Sequence, residues 1–130
     1  MHITALYAGL LAPLFVLLSM RVIALRRRDR VALGDGGSAG LARRIRVQAN
    51  FVEYVPLALL LIALAEAMTA PAALLHLMGL ALLFGRMSHA WGVSQDLEVL
   101  GFRAAGMLAT FSVLLIASAT CLVLAVGGRH

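Results

Sequence analysis

Lysine is absent from this chain of 130 residues, and cysteine occurs once. The single cysteine, Cys121, excludes an intrachain disulfide and a zinc site built from cysteines. The histidines His2, His76 and His130 have no spacing that predicts a metal site, and none is expected. The run from Gly34 to Gly40 lacks the spacing and the lysine of a phosphate-binding loop, so it predicts a flexible turn.

Charged residues are also scarce, at 13% of the chain, whereas 62% of the residues are hydrophobic and the mean hydropathy is +0.97. An average soluble domain is about 45–50% apolar. A chain this short cannot hide the excess in a soluble core, which predicts an integral membrane protein with lipids as neighbours. All eleven basic residues are arginines, and they cluster at the ends of apolar segments. We therefore do not expect nucleic acid as a partner.

Four apolar segments predict one all-α domain over residues 1–130, a four-helix membrane bundle with helices at about 3–25, 41–68, 71–92 and 100–126. The N-terminus lacks a charged region and a clear cleavage site, so we expect the first segment to be retained as a helix. Gly101, Ala105 and Ala109 recur at a spacing of four and predict a close approach to a neighbouring helix.

The arginines also predict an orientation. The break around Thr69 has no arginine, and Arg86 and Arg103 flank the third break. The region of the first break carries seven: Arg26, Arg27, Arg28, Arg30, Arg43, Arg44 and Arg46. Because cytoplasmic loops are enriched in arginine, we expect the first and third loops in the cytoplasm and both termini outside it.

The second apolar segment begins with three polar residues, Arg46, Asn50 and Glu53, on one helical face. Polar groups are costly at the mouth of a membrane helix, and that cost argues for a function. One interpretation is a structural network in which Arg46 pairs with Glu53. Seven residues exceed the usual i,i+4 spacing of a direct pair, however, so we expect other partners. Arg86 or Arg103 would then pair with Glu53. A small zwitterionic ligand with several carboxylates would supply the partners of Arg46 and Asn50.

These residues resemble a known family. The run RVQANFVEY has the pattern Arg-x-x-x-Asn-x-x-Glu of the second helix of the MAPEG family, the membrane-associated proteins in eicosanoid and glutathione metabolism. Pro56, the stretch from Phe84 to Gly92 and Arg103 are similar to the family as well. The likeness is greater to small bacterial members than to the leukotriene and prostaglandin synthases, which implies the inner membrane of a bacterium.

The resemblance implies a homotrimer that binds glutathione as a cosubstrate between adjacent subunits, near the cytoplasmic side. Arg46 and Asn50 would hold the carboxylate and amide groups of the tripeptide, and Glu53 an amino or amide N–H. Three further residues are implied in the same glutathione site: Arg26, Tyr54 and His89. Alone, a histidine such as His89 is also typical of the membrane interface.

Arg103 is the predicted catalytic residue. A thiol with a pKa near 8.5 is mostly protonated at neutral pH, and a nearby guanidinium favours the reactive thiolate. Arginine does not readily lose its proton, so it would act as a fixed electrostatic stabiliser. The alternative role of Arg103 is that of a cytoplasmic anchor for its helix.

The resulting hypothesis is a glutathione-dependent transferase or peroxidase that acts on lipophilic electrophiles from the bilayer. Val93 stands where the eicosanoid-making members have a tyrosine, and this favours the alternative of a non-catalytic protein that binds a lipid or a thiol metabolite. A small multidrug exporter is a further alternative. Such exporters carry an essential acid in the first helix, whereas the predicted helix over residues 3–25 has none.

Overall fold

The computed structural model describes residues 1–95 and 99–127. It contains helices α1 (His2–Asp29), α2 (Ala39–Ala67), α3 (Ala72–Ser94) and α4 (Leu100–Gly127). All four are long and apolar enough to cross a membrane. The prediction of an all-α protein with four membrane-length helices is therefore confirmed, although α1 continues four residues past its expected end. His130, considered above for a metal site, lies outside the described residues.

The ends of the helices follow from local chemistry. Ser38 precedes α2, and its hydroxyl accepts a hydrogen bond of 3.3 Å from the backbone N–H of Leu41, which caps the helix. Arg30 ends α1 in the left-handed conformation, with a φ of 55°. In the turn between them, Gly36 and Gly37 also have positive φ, which glycine adopts without steric cost.

Helix α2, like α3, packs against each of the other three helices. The buried apolar residues of α2 recur every three or four positions, as expected for a helix with one inward face: Val47, Phe51, Val55, Ala58, Ile62 and Ala65. Short connections make successive helices antiparallel. The end of α1, the start of α2, the end of α3 and the start of α4 therefore share one end of the bundle.

Large apolar side chains face outward on all four helices, for example Val16, Leu60, Leu77 and Leu115. Leu115 is 72% exposed. Apolar surface of this extent is typical of contact with lipid or with other protein chains. The outward surface therefore agrees with the apolar composition and with a membrane protein.

Helices α3 and α4 approach closely at a pair of glycines, Gly85 and Gly106. A Cβ added at Gly85 would lie 3.0 Å from the Cβ of Ala109 and 3.2 Å from the carbonyl oxygen of Gly106. A Cβ added at Gly101 would meet nothing within 4 Å among the described residues. Within the described residues of one chain, the predicted small-residue contact is thus present at Ala109 and not at Gly101, because α3 and α4 cross nearer to Gly106.

At the opposite end of the bundle, Glu66 ties the end of α2 to the start of α1. Its carboxylate accepts hydrogen bonds from the backbone N–H groups of Ile3, at 2.9 Å, and Thr4, at 2.8 Å. The Thr4 hydroxyl donates a third, at 2.6 Å. The first N–H groups of a helix have no partner within the helix, so an acid from a neighbouring helix can satisfy them. Glu66 therefore has a structural role that the sequence analysis missed.

Candidate functional site

A cleft of about 360 Å³ opens at the end of the bundle where α2 and α4 begin and α3 ends. This volume is within the range of about 300–1,000 Å³ that is typical of small-molecule sites. Its lining comes from three helices: Ala42, Arg43, Arg46 and Asn50 of α2, His89 and Val93 of α3, and Arg103 and Met107 of α4. Four of the seven predicted site residues thus line one cleft, namely Arg46, Asn50, His89 and Arg103.

Arg46 and Glu53 form a direct ion pair. One terminal nitrogen of Arg46 lies 2.7 Å from the Oε2 atom of Glu53. The expectation that seven residues are too far apart is therefore wrong. Two helical turns rise only about 10 Å, which two long side chains can bridge when they extend toward each other. The side chains are 57% and 44% exposed, and an exposed pair of this kind is worth about 0–1 kcal/mol. A competing anion can therefore displace Glu53 at little cost.

Asn50 is buried, and its partner is Arg86 of α3. The Nη1 atom of Arg86 donates a hydrogen bond to the Oδ1 atom of Asn50, and Nη2 donates one of 3.1 Å to the carbonyl oxygen of Gly106. The suggestion that Arg86 would pair with Glu53 is wrong, because the guanidinium points into the bundle. An arginine inside an apolar helix is the sequence signal that could have marked Arg86 as a site residue.

Arg103 reaches the cleft because α4 begins directly against α3. A Cβ added at Gly92 would lie only 2.8 Å from the backbone nitrogen of Arg103. The glycine therefore allows the first turn of α4 to approach the last turns of α3. His89 and Val93 are both buried on those turns, with 4% and 3% of their surface exposed. Helices α2, α3 and α4 thus hold the side chains of Asn50, His89 and Arg103 at the cleft.

The remaining predicted residues lie outside the lining of the cleft within one chain. Tyr54 packs edge-to-face on Phe111 of α4, with ring centroids 5.4 Å apart. Arg26 donates a hydrogen bond of 2.8 Å to the carbonyl oxygen of Gly34 in the turn after α1. It lines a separate cleft beside α1. Glu53 is not part of the lining of the main cleft, but its carboxylate pairs with the lining residue Arg46.

The MAPEG family model matches residues 4–123, which is nearly the whole chain and includes every residue of the cleft. The chain belongs to the MAPEG family. It is also similar to the inner membrane protein YecN of Escherichia coli strain K12, with 40% identity over 114 residues. That alignment covers 88% of this chain and 86% of the relative. The YecN protein of Escherichia coli O6:H1 matches to the same extent.

The chemistry of this MAPEG cleft is that of an anion site. Its charged lining residues are all arginines, Arg43, Arg46 and Arg103, and Asn50 adds a neutral polar group. Arginine presents paired N–H donors that match the two oxygens of a carboxylate. Among the described residues, no group of three or more His, Cys, Asp or Glu side chains could hold a metal ion. The sequence analysis missed two residues of the lining. Arg43 precedes Arg46 by three residues and extends the polar face of α2 toward its start, and Met107 lies on α4.

Proposed function

We propose that this protein is a glutathione-dependent transferase or peroxidase of the membrane that acts on lipophilic electrophiles. The observation that carries the proposal is the gathering of Arg46, Asn50 and Arg103 around one cleft at the end of the bundle. Members of the family that bind glutathione use the corresponding residues, and glutathione carries the carboxylates that an arginine cleft favours. The outward apolar surface would let an electrophile approach from the bilayer.

In the proposed mechanism, Arg46 binds a carboxylate of glutathione, and Asn50 binds a neighbouring carboxylate or amide. Arg103 lies close to the thiol and stabilises its anion, so that the proton leaves to solvent. The thiolate sulfur then attacks an electrophilic carbon, forming a carbon–sulfur bond while the leaving group departs with its bonding electrons. With an organic hydroperoxide, the sulfur would instead attack oxygen and release an alcohol. A second glutathione would reduce the resulting sulfenic acid to the disulfide and water.

Replacing Arg46 or Asn50 by alanine should weaken the binding of glutathione by about tenfold or more, because each change removes donors to a ligand carboxylate or amide. Isothermal calorimetry on the detergent-purified protein would measure this. The matched control is Arg44→Ala, since Arg44 is on the same turn of α2 but lines a different cleft. No binding by the folded parent protein would contradict the proposal, as would equal binding by all variants.

We also infer that the protein is a homotrimer whose glutathione sites lie between subunits, as in the family. In one chain Arg26 and Tyr54 lie outside the cleft. A neighbouring copy could supply such residues across an interface. Native mass spectrometry should then report three times the 13.8 kDa of one chain. A stable monomer that binds glutathione with the affinity of the parent sample would contradict the shared site.

The proposed location is the inner membrane of a bacterium, with the arginine-rich first and third loops in the cytoplasm. The relatives are named as inner membrane proteins, and the loop arginines favour this orientation. The cleft would then open toward the cytoplasm. Glutathione is a cytoplasmic metabolite, so this orientation supports the choice of cosubstrate.

A second candidate is a protein of the same fold that binds a thiol metabolite or a lipid without catalysis. It is favoured by Val93, which lines the cleft with an apolar side chain where the eicosanoid-making members have a tyrosine. An isopropyl group cannot donate a hydrogen bond to the bound thiol. Glutathione binding without turnover of a chlorodinitrobenzene or an organic hydroperoxide would favour this candidate over the enzyme.

A further inference from the structure

Arg86 is a buried arginine whose contacts are unusual. It is only 2% exposed, on the inward face of α3. Its hydrogen-bond acceptors among the described residues are neutral: Asn50 Oδ1, Gly106 O and Met107 Sδ. Its Nε atom is buried and has no hydrogen-bond partner in the described part of the chain. Burying a guanidinium without a carboxylate is costly, so the fold retains Arg86 for something other than stability.

The contact between Arg86 and Asn50 determines which end of the amide a ligand can use. A guanidinium has donors and no acceptor, so the Asn50 atom that faces it has to be the carbonyl oxygen. The NH₂ group is then the part of the side chain left for a ligand in the cleft that Asn50 lines. Without Arg86, the amide could turn over and offer its oxygen instead.

We propose that Arg86 is a positioning residue that holds Asn50 with its NH₂ group toward the bound ligand. This inference rests on the proposed function, because it names the role of Asn50 within the same glutathione site. With Asn50 in this orientation, the cleft presents hydrogen-bond donors from Asn50 and from the arginines Arg43, Arg46 and Arg103. The group of the ligand that meets Asn50 is therefore an acceptor, a carboxylate or an amide carbonyl, and not an ammonium group.

The first test is a change of Asn50 to aspartate, which keeps an oxygen for Arg86 but replaces the NH₂ group with a second acceptor. We expect the Asn50→Asp protein to fold with an unchanged or higher Tm and to bind glutathione at least about tenfold more weakly in calorimetry. The matched control is Gln48→Glu. Gln48 is on the same helix, and its amide donates to Ser19 of α1 at 2.8 Å rather than lining the cleft. Binding by Asn50→Asp at the affinity of the parent would overturn the proposal.

The second test is a double-mutant cycle on glutathione affinity. If Arg86 acts through Asn50, Arg86→Met should weaken binding by about tenfold in the parent and by less than about twofold in an Asn50→Ala background. Arg86→Lys should recover part of the loss, because the ammonium group can still donate to the amide oxygen. If Arg86→Met does not fold, the cycle is run with Arg86→Lys.

The outcomes separate this inference from the proposed function. An equal loss in both backgrounds would mean that Arg86 acts as a distant charge or only in folding, and it would overturn the positioning role while glutathione binding stands. A folded parent that does not bind glutathione would overturn the proposed function and this role with it. A coupled loss of affinity, with the Tm of each variant near that of the parent, would support both.

Discussion

Replacing Arg103 by alanine is expected to lower the rate of glutathione conjugation by about 10²–10³-fold and to leave most of the glutathione affinity in place. Removing one donor from the site where negative charge develops typically has an effect of this size. Binding would persist because, in the proposed mechanism, Arg46 and Asn50 hold the other end of glutathione. Turnover of a chlorodinitrobenzene, followed by its absorbance, and calorimetry on the same sample would measure the two quantities.

The proposed role of Arg103 also predicts a spectroscopic change. In the Arg103→Ala protein the pKa of the bound thiol should rise toward its ordinary value near 8.5, because the stabilising cation is gone. The ultraviolet absorbance of the thiolate, titrated with pH, would report this. Arg103→Lys should keep part of the effect through its charge. Unchanged turnover in Arg103→Ala would contradict the catalytic role, and Arg103 would remain an anchor of α4.

The second large effect is expected at Gly106, where α4 crosses α3. An alanine there would bring its Cβ to 2.7 Å from the backbone nitrogen of His89 and also against the carbonyl oxygen of Gly85. Backbone atoms of two rigid helices cannot move aside as a side chain can, so the helices must separate. We expect Gly106→Ala to destabilise the protein by about 1–3 kcal/mol or more and to lower its Tm in detergent.

The same substitution at Gly101 is the matched control, because a Cβ there meets nothing within 4 Å among the described residues. Alanine is a better helix former than glycine, so Gly101→Ala should leave the Tm unchanged or raise it slightly. Gly106→Ala should also weaken glutathione binding, since separation of α3 from α4 would move Arg103 and His89 apart. Equal Tm values for the two variants would contradict the close crossing at Gly106.

Part of the site was predictable from the sequence. The polar face of Arg46 and Asn50 on α2 follows from residue spacing alone, because residues four apart lie on one side of a helix. The partners of these two residues could not be predicted from the spacing. Whether Arg46 meets Glu53 depends on side-chain conformation, and whether Asn50 meets Arg86 depends on how α2 and α3 are rotated toward each other. Neither quantity is contained in the spacing along one helix.

The sequence by itself determined the class of protein and the number of helices, because hydropathy and the length of an apolar run are local properties. It also determined which residues of each helix are polar. Only the tertiary structure decided that Gly106 rather than Gly101 lies at the helix crossing, and that Arg43 and Met107 join the cleft. The physical reason is that the position of a helix crossing depends on the packing of side chains from several segments at once. No single segment specifies that position.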